Sequence, residues 1–140
     1  MLSFQDSIVP VVIADDHELT RFAIKLGLSS QSNIKIVGLA TNGQEAIEMV
    51  KLHHPHVIIL DLQMPVMDGL SASVYIKALD PNIRIIAYTS VEDPQIEVMV
   101  QTAPIDIFCR KDISTKDLIN LIYEQNQQYE EMSYTVISNQ

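Results

Sequence analysis

The sequence contains a single cysteine, Cys109, so an intrachain disulfide is excluded and a reducing cytoplasmic setting fits. It also lacks long hydrophobic runs, because no apolar run approaches the roughly 20 residues of a membrane-spanning helix. The N-terminus MLSFQDSIVP has no basic region followed by an apolar core, so no secretory signal is predicted. We therefore expect a soluble cytoplasmic domain without membrane contact.

Basic residues are also scarce. Lys and Arg number 9 against 18 Asp and Glu, which gives a formal net charge of −9. Binding to duplex nucleic acid needs clustered Lys and Arg, so we expect no direct contact of this chain with nucleic acid. An acidic balance is compatible with a cation site.

What the sequence does contain is an apolar run that ends in an acid. The 140 residues, 47% hydrophobic and 19% charged, support one globular domain. Within it, residues 57–69 read VIILDLQMPVMDG. The run before Asp61 suits a strand buried on both faces of a parallel sheet, and ligands of such sheets bind at the carboxyl ends of the strands. Asp61 is thus a candidate site residue, although a turn or capping role is the plain alternative.

Five such apolar runs alternate with helical patterns along the chain. This alternation predicts an α/β fold, a doubly wound five-stranded parallel sheet in a three-layer α/β/α sandwich, whereas a barrel needs eight units. We place the domain at residues 8–126 and interpret residues 127–140, which are polar and aperiodic, as a C-terminal tail or linker stub. The predicted strands cover residues 10–14, 34–40, 57–60, 83–88 and 105–109.

Apolar periodicity assigns a face to each helix. In the first helix Leu19, Phe22, Ala23 and Leu26 share one face. The inward residues predicted for the later helices are Leu70, Val74 and Leu79 in the third, Ile96, Met99 and Val100 in the fourth, and Leu118, Leu121 and Ile122 in the last. Val98 and Ile119 fall off these faces, either as scattered surface groups or as part of a partner surface.

The predicted strand ends bring together a set of groups with a common chemistry: Asp15, Asp16, Asp61, Thr89 and Lys111. Three carboxylates in one pocket repel each other unless a cation neutralises them, and oxygen ligands in a shallow site suit Mg²⁺. A hydroxyl and an ammonium group beside them suit a multiply charged anion. The set is sufficient for phosphoryl transfer to a carboxylate, which is mostly positioning and electrostatic stabilisation.

Several of these residues have plain structural interpretations as well. Asp15 and Asp16 could cap the first helix, Thr89 could merely end a strand, and Lys111 could lie on the surface. His17 fits the start of a helix better than a metal ligand. His53, His54 and His56 lie before the third strand, at the end opposite the acids, with no evident fourth ligand. Cys109 is expected to be an inert buried thiol.

Four motifs in order carry a family resemblance: IADD ending at Asp16, LDLQMPVMDG around Asp61, YTS at residues 88–90, and FCRK ending at Lys111. Together they make residues 10–125 resemble a receiver domain of bacterial two-component response regulators. The resemblance implies a flavodoxin-like strand order of 2-1-3-4-5. It also implies that Asp61 accepts a phosphoryl group from a sensor histidine kinase, a phosphotransfer protein or a small donor such as acetyl phosphate.

The same resemblance assigns the remaining site residues. It implies that Mg²⁺ is held by Asp15, Asp16, Asp61 and the main-chain carbonyl of Gln63. It implies that Thr89 and Lys111 contact the phosphoryl oxygens, and that the rotamer of Phe108 follows a shift of Thr89. Such a chain is a signalling switch and not a turnover enzyme.

A finer resemblance concerns the subtype. ADDHE at residues 14–18, and Lys111 followed by Asp112-Ile113 instead of proline, resemble NarL/FixJ-type receivers, which usually precede a DNA-binding domain in transcription regulators. Such a domain does not fit in this length, so we expect a free-standing receiver or part of a longer regulator. The resemblance places the output partner on the face of the fourth helix, fifth strand and fifth helix, and a homodimer is compatible with it.

The sequence departs from the family pattern at three places, and three other functions are alternatives to that of a receiver. Gln63 and Val91 offer no acid or base to orient water, so fast hydrolysis is not predicted, and Ala103-Pro104 stiffens the loop before the fifth strand. A phosphatase would need an acid at Gln63. A flavin carrier would need a glycine- and hydroxyl-rich loop where DDHEL stands. A phosphorylation-independent pseudo-receiver that acts as an interaction scaffold stays open.

Overall fold

The computed structural model of the chain describes residues 7–90, 98 and 101–138, with side chains to residue 134. Up to the fourth strand, its strands and helices alternate along the chain. The helices are α1 (Glu18–Leu28), α2 (Gly43–His53), α3 (Gly69–Leu79) and a C-terminal helix (Thr115–Ser138). The strands are β1 (Val9–Ala14), β2 (Ile34–Ala40), β3 (Val57–Leu60), β4 (Arg84–Thr89) and β5 (Ile107–Arg110).

The strands form one sheet in the order β2-β1-β3-β4-β5, with every neighbouring pair parallel. This confirms the predicted flavodoxin-like fold. All four residues of β3 are buried, because helices cover both faces of the sheet. Val57 and Ile59 belong to the core on one face, whereas Ile58 and Leu60 belong to the core on the other.

Capping side chains fix where three helices begin, and asparagine, aspartate and serine are residue types favoured at such positions. The Asn42 side chain accepts a hydrogen bond from the Glu45 N–H at 2.8 Å, and Asp68 accepts one from the Ser71 N–H at 2.7 Å. Ser114 accepts one from the Asp117 N–H at 3.1 Å. Each bond satisfies an N–H group that has no partner within the helix, so the cap stabilises the first turn.

The predicted apolar face of α1 is on the outside. Leu19 is 82% exposed, and Phe22, Ala23 and Leu26 are exposed as well. The inward face carries Ile24 and Leu28 instead. Periodicity shows which residues share a face but not which of two apolar faces packs against the sheet, so the prediction selected the wrong one.

The inward face of α3 is also different from the prediction. Val74 and Leu79 are exposed and Leu70 is half-buried, whereas Ala72, Ser73 and Ile76 face the sheet. Small residues here let the helix lie close to the strands, and a search for large apolar residues overlooks them.

In the C-terminal helix the predicted inward residues Leu118, Leu121 and Ile122 do pack on the core. Ile119 packs there too, partly buried, so its predicted position off the core is wrong. Val98 is exposed, as predicted. The inward residues predicted for the fourth helix, residues 96, 99 and 100, and the departure at residue 91 lie outside the described residues.

The C-terminal helix continues to Ser138, where the sequence suggested a tail from residue 127. Its middle is held by polar groups: Gln125 accepts a hydrogen bond from Arg84 Nε at 2.8 Å, and Asn126 Oδ1 lies 2.8 Å from His56 Nδ1. The His56 ring stacks on Tyr129 with 3.9 Å between ring centroids. Since polar residues make this contact, the hydrophobic pattern misses it. The domain boundary at residue 126 stays a prediction.

Within the described part of the chain, no helix has the length and apolar character needed to span a membrane.

Candidate functional site

The site lies at the carboxyl edge of the sheet, where β1 and β3 end side by side. Ala14 and Leu60 are register partners, and each strand is followed directly by an acid, Asp15 or Asp61. The Asp61 N–H donates to the Ala14 carbonyl at 2.9 Å, and the Asp15 N–H donates to the Ala40 carbonyl at 3.0 Å. The backbone ladder therefore extends to both acids and fixes their side chains next to each other.

The predicted acids do converge. Ligand atoms of Asp15, Asp16, His17 and Asp61 all lie within 4.8 Å of one another. Asp15 is 1% exposed and Asp61 is 3% exposed, whereas the Asp16 side chain is partly open to solvent. Two nearly buried carboxylates at this distance are costly unless positive charge lies beside them.

Lys111, the residue directly after β5, supplies this positive charge. Its Nζ lies 2.7 Å from Asp15 Oδ2 and 3.4 Å from Asp61 Oδ2. The Lys111 N–H donates to the Thr89 carbonyl at 2.7 Å, which anchors the residue beyond the end of β5. The predicted convergence of the lysine with the acids is therefore present in the structure.

The surroundings of Asp61 and Lys111 shift the pKa of each side chain. Burial, and then the negative charge of Asp15, raise the pKa of Asp61, although Lys111 and the Gln63 N–H oppose the shift. For Lys111, burial alone would lower the pKa, but the hydrogen bond to Asp15 and the charges of Asp61 and Asp15 together raise it. Lys111 therefore stays protonated, and the pocket favours an added cation beside Asp61.

Thr89, Gln63 and Phe108 lie around this cluster. Thr89 is buried at the end of β4. The Gln63 N–H donates to Asp61 Oδ1 at 3.2 Å, and its side chain points to solvent. Phe108 pairs in register with Ala87 and is 37% exposed, so the aromatic residue that the resemblance makes a switch lies partly at the surface. The roles that the resemblance gives these three residues stay predictions.

The loop after Asp61 is held close to that residue. A Cβ on Gly69 would lie 2.0 Å from the Asp61 carbonyl oxygen, so only glycine permits this approach. The Met67 carbonyl accepts a hydrogen bond from the Gly43 N–H at 2.8 Å, which ties the loop to α2. Val66 has φ of 67°, a left-handed conformation that is strained for a β-branched residue.

Two residues near the acids were missed as site residues. His17 is the N-cap of α1, as expected, but its Nδ1 also lies 3.1 Å from Asp15 Oδ1 and 3.2 Å from Asp16 Oδ1. Arg21 donates from its guanidinium to the Asp15 carbonyl at 2.7 Å. The position of His17 directly after two acids could have marked it as a site residue. No feature of the sequence points to Arg21.

The residues present fit a hard divalent cation. The carboxylates supply oxygen ligands from two strand ends, and this donor set suits Mg²⁺. The buried Asp15 Oδ2 is faced by the Lys111 ammonium group, 2.7 Å away. The Asp16 side chain faces solvent in part, which leaves a path for an ion to enter.

The remaining histidines do not form a second cluster with the acids. His56 is engaged by Asn126 and Tyr129 at the amino ends of the strands, and His53 and His54 are exposed at the end of α2. Burial raises the pKa of Cys109 to about 11, in agreement with an inert thiol.

Comparison with known proteins gives consistent matches. The family model described as "Response regulator receiver domain" matches residues 11–123. The receiver domain of the response regulator NarL from Mycobacterium tuberculosis has a TM-score of 0.81 at 27% identity, covering 86% of this chain and 98% of that domain.

Two curated relatives are longer than this chain. It is 36% identical over 115 residues to response regulator protein VraR of Staphylococcus aureus, which is 81% of this chain and 54% of VraR. It is 47% identical over 81 residues to protein-glutamate methylesterase/protein-glutamine glutaminase 1 of Methanosarcina mazei, which is 58% of this chain and 23% of that protein. The chain thus spans about half of the first relative and about a quarter of the second.

Proposed function

Because the chain belongs to the response regulator receiver domain family, we propose that it is a phosphorylation-controlled signalling switch with Asp61 as the phosphoryl acceptor. The observation that carries the proposal is the convergence of Asp61 with two further acids and Lys111 at one edge of the sheet. This is the arrangement that phosphoryl transfer to a carboxylate requires.

In the proposed reaction, a carboxylate oxygen of Asp61 attacks the phosphorus of phosphohistidine. The phosphorus–nitrogen bond breaks, and its electron pair stays on the imidazole, which then takes up a proton. With acetyl phosphate the phosphorus–oxygen bond breaks instead and acetate leaves. Lys111, whose Nζ lies 3.4 Å from Asp61 Oδ2, contacts an oxygen of the incoming phosphoryl group, and Thr89 donates a hydrogen bond to another.

Mg²⁺, when bound, would neutralise charge between the acids and the phosphoryl oxygens. Asp15, Asp16, Asp61 and the main-chain carbonyl of Gln63 would hold it. The nearly complete burial of Asp15 and Asp61 favours this assignment, since a low-dielectric setting strengthens their attraction for a cation.

The switch itself would act through Thr89 and Phe108. Thr89 is buried next to the pocket, and its carbonyl is bonded to the Lys111 N–H, so a new charge on Asp61 acts on both residues at once. A displacement of Thr89 toward the phosphoryl group frees space beside β5. Phe108, which is partly exposed, would turn inward into that space.

The partners follow from the same family. A sensor histidine kinase or a phosphotransfer protein would supply the phosphoryl group. The output partner would bind the face of the fourth helix, β5 and the C-terminal helix, where Val98 and Phe108 are exposed. The likeness to the NarL receiver domain favours the NarL/FixJ subtype. The likeness to a DNA-binding response regulator of the LuxR family from Staphylococcus aureus, 26% identical with a TM-score of 0.79, favours a role in transcription regulation through a separate DNA-binding domain. A homodimer through that face is compatible with the proposal.

The test is mass spectrometry of the protein after incubation with acetyl phosphate and Mg²⁺. We expect one phosphoryl adduct on the wild type and none on Asp61→Asn. Asp68→Asn is the matched control: it makes the same chemical change seven positions later, and asparagine preserves the helix cap at that position. This control should keep the adduct.

An adduct that persists in Asp61→Asn would refute the assignment of the acceptor. No adduct on the wild type with acetyl phosphate or with a panel of histidine kinases would favour the phosphorylation-independent scaffold. Omission of Mg²⁺ with added chelator should abolish the adduct if the acids act through a cation.

A further inference from the structure

His17 gives the acidic pocket a nitrogen donor in addition to its oxygens. It directly follows Asp15 and Asp16, the two acids after β1, and lies at the start of α1. Most of its side chain is open to solvent. Because its backbone N–H donates to Asp15 Oδ1 at 2.8 Å, the residue is held beside the pocket at its main chain.

The separations around His17 match those between neighbouring ligands of one ion. Its Nδ1 lies 3.1 Å from Asp15 Oδ1 and 3.2 Å from Asp16 Oδ1. Two ligands at right angles around an ion with bonds of about 2.1 Å are about 3.0 Å apart. The two oxygens of Asp15 have different neighbours: Oδ2 faces Lys111, whereas Oδ1 accepts the His17 N–H and keeps a second lone pair for an ion.

The geometry points to His17 as an additional metal ligand that makes the pocket selective for first-row transition ions such as Mn²⁺ and Ni²⁺ over Mg²⁺. Imidazole nitrogen suits later first-row ions such as Ni²⁺, and the affinity of a given site rises along the series from Mn²⁺ toward Ni²⁺, whereas Mg²⁺ prefers oxygen. The inference rests on the proposed function, because it uses the same acidic pocket.

Two measurements on the full chain without a polyhistidine tag test the inference. Calorimetric titration gives the ratio of Ni²⁺ to Mg²⁺ affinity, and pulsed electron paramagnetic resonance of bound Mn²⁺ detects a directly coordinated nitrogen. In His17→Ala we expect the affinity ratio to fall at least tenfold and the nitrogen signal to disappear. His53→Ala, which removes another exposed histidine from the opposite edge of the sheet, should keep both.

A second variant tests whether the losses in His17→Ala come from a misfolded protein. His17→Ser retains a residue that is favoured at an N-cap but offers no nitrogen, and it should lose the signal as His17→Ala does. An unchanged affinity ratio in both variants, or no nitrogen signal in the wild type, would overturn the inference.

The failure of this inference and that of the proposed function are distinguishable. The same protein preparations are incubated with acetyl phosphate and Mg²⁺. A phosphoryl adduct on the wild type without a nitrogen signal overturns the role of His17 alone. A nitrogen signal without any adduct supports the metal site and counts against the phosphoryl acceptor.

Discussion

At the scale of single residues, the site is built at the expense of stability. Asp61 is almost fully buried next to a second buried carboxylate, and its pKa is raised as a result. A raised pKa means that the ionised form of Asp61 is less favourable in the folded state than in the unfolded chain. We therefore expect an uncharged residue at this position to give a more stable fold in the absence of a cation.

This predicts the effect of Asp61→Asn in metal-free buffer. Above the folded-state pKa the variant should have the higher free energy of unfolding, by on the order of 1 kcal/mol, because it removes an ionised buried group. The gain should shrink as pH falls through the folded-state pKa and vanish below the ordinary value of 3.8, where both side chains are neutral. Urea unfolding over a pH series measures it.

The control is again Asp68→Asn, an exposed cap for which no such gain is expected. A variant that is less stable than the wild type at neutral pH would show that the attraction of Lys111 for Asp61 outweighs the cost of burial.

Cys109 allows a prediction about reactivity. With a pKa of about 11 against an ordinary 9.0, its thiolate fraction at pH 8 is about 100-fold lower than that of a free thiol. Alkylation by iodoacetamide in native buffer should be slower than that of a model thiol by at least this factor. In urea the rate should return to that of the model thiol. Fast alkylation of the folded protein would contradict the buried position of Cys109.

At the scale of elements, the sequence predicted strands better than helix faces. The strand β3 is a run of branched apolar residues followed directly by an acid. The sequence alone therefore locates both the strand and the end at which the site lies. The buried face of α1 cannot be identified in this way, because Leu19 and Ile24 are both strongly apolar and tertiary packing decides which of them is buried. The contact of Asn126 with His56 is polar and joins residues 70 positions apart, so no local pattern reveals it.

This polar contact should stabilise the C-terminal helix. Asn126 is 1% exposed, and its removal leaves His56 Nδ1 without that partner. Asn126→Ala should lower the free energy of unfolding by about 1–3 kcal/mol, the cost of leaving a buried polar group unsatisfied. Chemical denaturation measures the change. Gln128→Ala, a truncation two positions later on the exposed side of the helix, should change it by less than about 0.5 kcal/mol.

Equal stability of the Asn126 and Gln128 variants would show that the helix is held by its apolar residues alone. In that case the length of the helix beyond Ile122 would depend on its own propensity, and helix content should not fall in either variant, because alanine is the strongest helix former.

At the scale of the whole molecule, one sheet separates two cores. Ile58 and Ile59 are neighbours in the chain, but Ile58 packs under α2 and α3, and Ile59 packs with residues of α1 and the C-terminal helix. The site lies at the end of this sheet and is therefore supported by both cores. The predicted alternation of parallel strands and helices was sufficient to predict this convergence, since adjacent parallel strands bring their carboxyl ends to one edge of the sheet.

The two cores predict additive mutational effects at adjacent positions. Ile58→Val and Ile59→Val should each lower the free energy of unfolding by about 0.5–1.5 kcal/mol, since each removes one buried methyl group. The double variant should lose the sum of the two within about 0.5 kcal/mol, because the side chains share no neighbours across the sheet. Urea denaturation of the four proteins completes the cycle. A larger coupling would mean that strain in one core reaches the other through β3, and the strand would then transmit changes between the helices on its two sides.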